Sequence, residues 1–397
     1  MRSVDLFVGA GGLALGVSRA GFRHVLVTDC DPHVMATIRE NQVRGVKHVR
    51  EWPLHEGDVR ELDYSIVSDS VDLLAAGPPC QPFSFGGNHR GHRDARDMFS
   101  EVAHAVQQLR PRAILVENVP GLLRSRFERY FGYIVLQLTY PELVRTVGEH
   151  WQSHLSRLMR LRAAGITTGL AYDIEVALLN AADFGVPQFR KRVFIVGFRS
   201  DCRVKWRFPT PTHSLDSLLF DQWVTGEYWD RHRIARRDMP EPPPRLRPRI
   251  DRLRRMLPSQ RCQPWRTVRD ALGNLPVPSK DGNCPVADHR FIPGARIYLG
   301  HTGSLWDEPA KTLKAGDHGV PGGENMLLGY DGSVRYFTVR EAARLQTFPD
   351  DFVFPGFWSK TTRQLGNAVP VKLGETIARE VRGKLMGSVV SARRLSR

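Results

Sequence analysis

A cysteine held between prolines at the end of an apolar run is the residue most suited to chemistry in this chain. The run Val71–Ala76 leads into Gly77-Pro78-Pro79-Cys80-Gln81-Pro82-Phe83-Ser84. Prolines fix the backbone, which would present the thiol as an exposed and rigid nucleophile. Downstream, Ala113-Ile114-Leu115-Val116 ends in Glu117-Asn118-Val119-Pro120, an acid at the end of a second β-prone run. Open α/β sheets bind ligands at the carboxyl ends of their strands, so ordinary connections would bring Cys80 and Glu117 to one edge. A thiol nucleophile beside a carboxyl group suits activation of an electron-poor ring. The bland reading of a lone cysteine, a small buried hydrophobe, is set aside in this context.

A second signal lies at the start, where Asp5-Leu6-Phe7-Val8-Gly9-Ala10-Gly11-Gly12-Leu13 runs from a strand pattern into glycines and then a helix pattern. Glycines there allow a tight turn and close backbone approach to a ligand. The next strand pattern ends at Asp29, an acid suited to a ribose diol. Taken alone, these features fit a dinucleotide, S-adenosylmethionine or a simple tight turn.

The elements that must position these groups are legible as alternating patterns. Strand-like runs fall at Val4–Val8, His24–Thr28, Val71–Ala75, Ala113–Val116, Glu175–Leu179 and Arg192–Phe198, with helical patterns at Gly12–Ala20 and His33–Gln42. Such alternation predicts a mostly parallel sheet with helices on both faces, its last two strands able to pair as an edge hairpin. Leu122–Gly165 reads as helical, with Trp151, Leu155 and Leu158 on one stripe. His150 and His154 have metal-ligand spacing but no third ligand, and no metal is expected. From about Cys202 to Gly332 the chain is rich in Pro and Arg with little periodicity, apart from a short helix expected to begin at Thr267 with Asp270 as capping-box partner. Helical patterning returns at Thr338–Gln346 and Val371–Leu385.

Composition bounds the function. Of 397 residues, 57 are Lys or Arg and 42 are Asp or Glu, a net charge of +15 that suits a polyanionic partner. The segment 230–270 alone holds 13 Arg and 5 acids, so more than half of the surplus is concentrated there. No stretch approaches the ~18 apolar residues of a membrane span. The first residues do not read as a signal peptide, and a cytoplasmic protein is expected. Five cysteines without CxxC spacing argue against a disulfide framework or structural zinc.

Taken in order, these motifs identify the chain as resembling the bacterial DNA (cytosine-5) methyltransferases of restriction-modification type. Phe7-Val8-Gly9-Ala10-Gly11-Gly12 resembles that family's cofactor loop, Pro79-Cys80-Gln81 its nucleophile motif and Glu117-Asn118-Val119 its cytosine-binding motif. Gln188-Phe189-Arg190-Lys191-Arg192 is similar to its Q-x-R-x-R segment, Arg340–Gln346 to the helix after the recognition region, and Gly366-Asn367-Ala368-Val369-Pro370 to its last motif. The resemblance implies that Cys80 attacks C6 of a flipped-out cytosine and that Glu117 holds N3 and N4. It implies that Arg192 contacts O2 and that Arg190 orients Glu117 or a phosphate. For S-adenosylmethionine it implies Phe7, Gly9, Gly11, Gly12, Leu13, Asp29, Asp58, Val59, Asn367 and Val369. Toward DNA it implies Gln81, Ser84, Gln188 and Thr312, the last in Lys311-Thr312-Leu313-Lys314-Ala315-Gly316.

The chain departs from the family pattern at three places. Asp29 stands where many members carry Glu, Asp94–Phe99 is one residue short of the fifth motif, and Leu122–Gly165 is longer than the minimal pattern.

The expected fold is α/β, a Rossmann-like S-adenosylmethionine-dependent methyltransferase sheet with an inserted, loop-rich target-recognition domain. Residues 1–200 and 333–397 would form a discontinuous catalytic domain and 201–332 the recognition domain. The helix from Val371 would fill the place of a helix before the first strand. The expected partner is double-stranded DNA, with a restriction endonuclease of the same specificity as a functional pair, no membrane, and a monomeric state. Three other readings are weighed: an RNA cytosine-5 methyltransferase, a DNA-binding module that has lost catalysis, and a nicotinamide-dependent oxidoreductase. The Arg-rich region favours duplex DNA over RNA. Intact Cys80 and Glu117 oppose lost catalysis, and an oxidoreductase leaves both motifs unexplained.

Overall fold

The computed structural model describes residues 1–79, 98–165, 169–255, 262–280, 284–297, 302–315 and 323–395, with side chains placed as far as Ser388. Two compact units are present, one of residues 1–179, 191–209 and 374–397, the other of 180–190 and 210–373.

In the first unit the chain runs β1 (Arg2–Leu6), α1 (Gly12–Arg19), β2 (Arg23–Asp29), α2 (Pro32–Val43), β3 (Leu54–Glu56), β4 (Leu73–Ala76), α3 (Phe99–Leu109), β5 (Ala113–Asn118), α4 (Glu128–Thr139), α5 (Trp151–Ala163), β6 (Tyr172–Asn180) and β7 (Lys191–Arg199). The seven strands lie in the order β3-β2-β1-β4-β5-β7-β6. The first five in chain order pair in parallel, and β7 is antiparallel to β5. All residues of β4 and β5 are buried, as strands covered on both faces must be, and they therefore read as unbroken apolar runs. After β3 the chain returns to the other side of β1, so a topological switch point lies between β1 and β4.

The expected strands and helices are present, and β6 and β7 are neighbours at the sheet edge. The short β3 was not legible, because Leu-His-Glu carries no apolar run. The Leu122–Gly165 stretch is two helices rather than one continuous pattern. Pro141 disfavours a helical Tyr140 and ends α4, and α5 starts ten residues later at Trp151. His154 is buried there with Nδ1 on the Tyr133 hydroxyl (2.9 Å) and Nε2 on the Leu143 carbonyl (2.7 Å), a packing role. No cluster of potential metal ligands occurs among the described residues, and no helix among them is long and apolar enough to cross a membrane.

The final helix is α12 (Val371–Leu395). From Gly374 onward it belongs to the first unit, where Gly374 lies against Leu13 of α1. Arg112, just before β5, donates to the Leu385 carbonyl (3.1 Å) and the Ser388 hydroxyl (3.0 Å).

The second unit contains β8 (His213–Ser214), α6 (Leu215–Phe220), α7 (Glu227–Arg231), α8 (Arg247–Arg254), β9 (Gln263–Pro264), α9 (Val268–Leu272), β10 (Ser304–Leu305), β11 (Met326–Leu328), β12 (Val334–Tyr336), α10 (Val339–Leu345) and α11 (Trp358–Asn367). The expected capping box at Thr267 and Asp270 is formed. By compactness, residues 333–373 group with this unit. The fully buried Arg340 of α10 explains part of this, donating to the carbonyls of Ala287 (3.1 Å), Pro349 (3.2 Å) and Phe352 (2.9 Å).

His24 on β2 is a buried neutral imidazole bonded to Ser3 Oγ and the Ala14 carbonyl, both at 3.0 Å, with Trp52 edge-on to its ring. Burial lowers its pKa to about 4 from the ordinary 6.5. The unfolded chain binds this proton more readily, so His24 stabilises fully above pH 6.5 and the contribution is lost as pH falls toward 4. The melting temperature should therefore drop between pH 7 and 5, and His24→Gln should flatten that slope; an unchanged slope would contradict the assignment.

Candidate active site

The register of the sheet aligns the ends of three strands. Leu6, Ala76 and Val116 are cross-strand neighbours, so the next residues, Phe7, Gly77 and Glu117, lie side by side beyond them. A side chain at Gly77 would meet the Phe7 carbonyl at 3.6 Å and Glu117 Oε2 at 3.9 Å. Phe7 itself has φ +57°, a left-handed conformation that is uncommon for a bulky residue and typical of functional turns.

Glu117 is held by Arg192, whose Nε lies 2.8 Å from Oε1 with both side chains 9% exposed. This follows from strand direction. Because β7 is antiparallel to β5, its first residues lie beside the last residues of β5, with Asn118 opposite Val193. Asn118 adds a second tie, its Nδ2 donating to the Pro78 carbonyl at 3.1 Å. That bond anchors the proline loop two residues before Cys80. Cys80, Gln81 and Ser84, like the segment Asp94–Asp97, lie outside the described residues.

The glycine loop closes around Asp29. Its carboxylate accepts from the backbone N–H of Gly9 (2.9 Å) and of Asp31 (2.9 Å), while its carbonyl accepts from Gly57 (3.1 Å). Asp58 and Val59 follow directly, and Val59 is buried. The Asp58 carboxylate is engaged by the Arg60 side chain and backbone, which hold its pKa low. Burial raises the pKa of Asp29, and burial together with the charges of Asp29 and Asp58 pushes the adjacent Cys30 thiol up. Gly11, at φ +83°, has the Trp52 ring 3.3 Å from where a Cβ would stand, so a side chain there would be both strained and crowded.

Asp5 was missed from the sequence as a site residue. It is 1% exposed, its Oδ2 has no hydrogen-bond partner among the described residues, and burial and then the charge of Asp29 raise its pKa well above the usual carboxylate range. Its only signal was an acid inside an apolar strand.

In the second unit two of the expected site residues are enclosed. Arg190 is fully buried and donates to the carbonyls of Leu313 (2.9 Å), Gly366 (2.7 Å) and Ala368 (2.9 Å), so its guanidinium organises backbone. The guanidinium seen against Glu117 is that of Arg192. Gln188 is also fully buried, giving its amide to the Leu345 carbonyl (3.3 Å) and Gln346 Oε1 (3.2 Å) and accepting from Leu313 N–H (3.1 Å). A side chain occupied in this way ties loop backbone together. Thr312 donates to the Phe189 carbonyl at 2.7 Å and keeps partial exposure. Asn367 is exposed at the end of α11 and Val369 is buried. Gly366 is obligatory, because a Cβ there would collide with the backbone of Lys314 and Ala315.

Arg190→Met should remove this donor from three buried carbonyls, of which that of Ala368 keeps Gln346 Nε2 at 3.3 Å, and destabilise the protein by about 3–5 kcal/mol. Chemical denaturation of the pure variant would measure this, and a loss below about 1 kcal/mol would contradict the scaffold role.

Comparison with known proteins agrees with this geometry. The family model for C-5 cytosine-specific DNA methylases matches residues 1–140 and 166–383. The unmatched 141–165 is the loop and helix around α5. The type II methyltransferase M.Eco47II of Escherichia coli is 31% identical over 383 residues, covering 95% of this chain and 78% of that protein. M.MthTI of Methanothermobacter thermautotrophicus is 30% identical over 404 residues, covering 98% of each. The crystal structure of the S. pombe Dnmt2 methyltransferase shares the fold, with a TM-score of 0.54 at 16% identity over 98% of each chain.

Proposed function

The chain belongs to the C-5 cytosine-specific DNA methylase family, and from that premise we propose that it methylates C5 of a flipped-out cytosine in a short specific sequence of duplex DNA, through a covalent bond from Cys80 to C6. The single observation that carries the reading is the buried Glu117–Arg192 pair at the carboxyl end of β5. The residues of the first unit fit S-adenosylmethionine. Phe7, Gly9, Gly11, Gly12 and Leu13 supply a turn with close backbone approach, Asp29 suits a ribose, and Asp5 Oδ2, without a partner among the described residues, offers a further polar contact beneath the loop. Asp58 and Val59 would flank the adenine, with Asn367 and Val369 completing the set. The bound compound supplies the methyl group.

The protein's own tasks then follow from the chemistry of the base. C5 of cytosine is a weak nucleophile. Addition of the Cys80 thiolate to C6 pushes electron density onto C5, while Glu117 donates a hydrogen bond or proton at N3 as charge builds there. Arg192 fixes the Glu117 carboxyl in place and presents its remaining N–H groups toward O2. After transfer the C5 proton leaves to a base such as water, and the C6–S bond breaks to restore the aromatic ring and the thiolate. Flipping costs a few kcal/mol, which basic contacts offset. The proposed division of labour keeps residues 1–200 and 333–397 for catalysis and 201–332 for recognition, with Thr312 toward the target phosphate. Because the relatives are type II methyltransferases, we assign the protein to a restriction-modification pair with an endonuclease of the same specificity.

Tritiated methyl from labelled S-adenosylmethionine should enter duplex DNA with the wild type and not with Cys80→Ser. Glu117→Gln, which keeps the shape but cannot deliver a proton, should lower kcat by about 100-fold or more. Label entering tRNA but not DNA would favour an RNA substrate and overturn the proposal.

A further inference from the structure

The second unit contains a groove of about 920 Å³ walled by aromatic rings, among them Phe189, Trp223, Trp229, Trp265 and Tyr330. Two of the indoles are pinned by their N–H groups. Trp265 Nε1 donates to Asp183 Oδ1 at 3.0 Å, and Trp229 Nε1 donates to the Gln222 carbonyl at 2.6 Å. Trp223 stands edge-on to Trp229 with ring centres 5.2 Å apart, and Phe189 edge-on to Trp265 at 6.1 Å. The wall is therefore set before any ligand arrives, yet Phe189 is 42% and Tyr330 54% exposed. Arg245, Lys311 and Lys314 line the same groove together with the acids Glu241, Asp307, Glu308 and Glu324; Lys314 is paired with Glu324 (2.6 Å) and Arg245 with Glu308 (3.6 Å), while Lys311 donates to the Thr302 hydroxyl (2.6 Å).

Concavity decides what such a wall can take. Base edges in an intact duplex are read by elements that project into a groove about 12 Å wide, which a hollow apolar surface cannot do. A base that has left the stack, by contrast, offers two flat faces to fixed rings and a phosphate to nearby cations. The volume lies within the range of sites for single small ligands. Methylation itself supplies such a base, because a flipped cytosine leaves a guanine unpaired and its neighbours without a stacking partner. A second displacement next to the first costs less than one in intact duplex.

The geometry points to this groove as a binding site for one unstacked nucleobase of the target DNA other than the methylated cytosine, laid against the Trp265 and Tyr330 rings with its phosphate on Lys311. This rests on duplex DNA being the substrate.

The test uses the full chain and its own methylated sequence, located by bisulfite sequencing. Duplexes lacking one base at a time, at every position but the target, are measured for Kd against wild type, Trp265→Ala, Trp265→Phe and Tyr330→Ala. One abasic position should weaken wild-type binding about tenfold, the scale of a single base–aromatic stack. Trp265→Ala should weaken the intact duplex by a similar factor and show no added loss at that position, while Trp265→Phe retains most of the affinity. Tyr330→Ala, at an exposed position, gives the same non-additivity should Trp265→Ala fail to fold. Losses that multiply at every position, or ring variants that bind the intact duplex as wild type does, would overturn the groove assignment in an active enzyme. A wild type that methylates no duplex DNA would overturn the underlying reading as well.

Discussion

A carboxyl group buried at the end of a parallel strand must be paired, because removing a lone charge from water costs several kcal/mol. Glu117 meets this constraint with Arg192, and the pairing depends on one topological choice. Had β7 run parallel to β5, its first residues would lie at the opposite edge of the sheet, far from the acid. Antiparallel entry of β7 places a guanidinium beside Glu117 and leaves Phe194 opposite it in the ladder. The same edge collects the Phe7 turn, the Gly77 gap and the Asn118 bond to Pro78, so the exits of β1, β4 and β5 form one continuous surface.

The second unit solves a different problem. Its loops contain few regular hydrogen bonds, and buried polar side chains replace them. Arg190, Gln188 and Arg340 are fully enclosed and spend their donors largely on backbone carbonyls. Each satisfies groups that would otherwise cost about 1–3 kcal/mol when buried unpaired. Rigid loops in turn hold the aromatic side chains of the groove in fixed orientations, through bonds such as that from Trp265 to Asp183.

The parallel strands were legible because burial on both faces leaves unbroken apolar runs, as in Ala113–Val116. The capping box at Thr267 was legible because it is local. By contrast, α8 hides in an Arg- and Pro-rich segment whose helix is held by two buried residues, Ile250 and Leu253, too few to show a period. Family resemblance named Glu117 and Arg192, but their pairing spans 75 positions (117 to 192) and depends on strand direction. Residue type gave no sign that Gln188 and Arg190 are buried. Polar side chains in a functional motif look like ligand contacts, and only packing shows that they are enclosed. Asp5 and the groove left no local signature, since an acid in a strand and rings scattered from 189 to 330 acquire meaning only when folded.

The most direct measurement of the central claim is the identity of the modified nucleoside. Duplex DNA incubated with the protein and deuteromethyl-labelled S-adenosylmethionine would be digested and resolved by mass spectrometry. The account predicts labelled 5-methyldeoxycytidine as the product. Label in N4-methyldeoxycytidine or N6-methyldeoxyadenosine would contradict it, because exocyclic amines need neither attack at C6 nor an acid at N3.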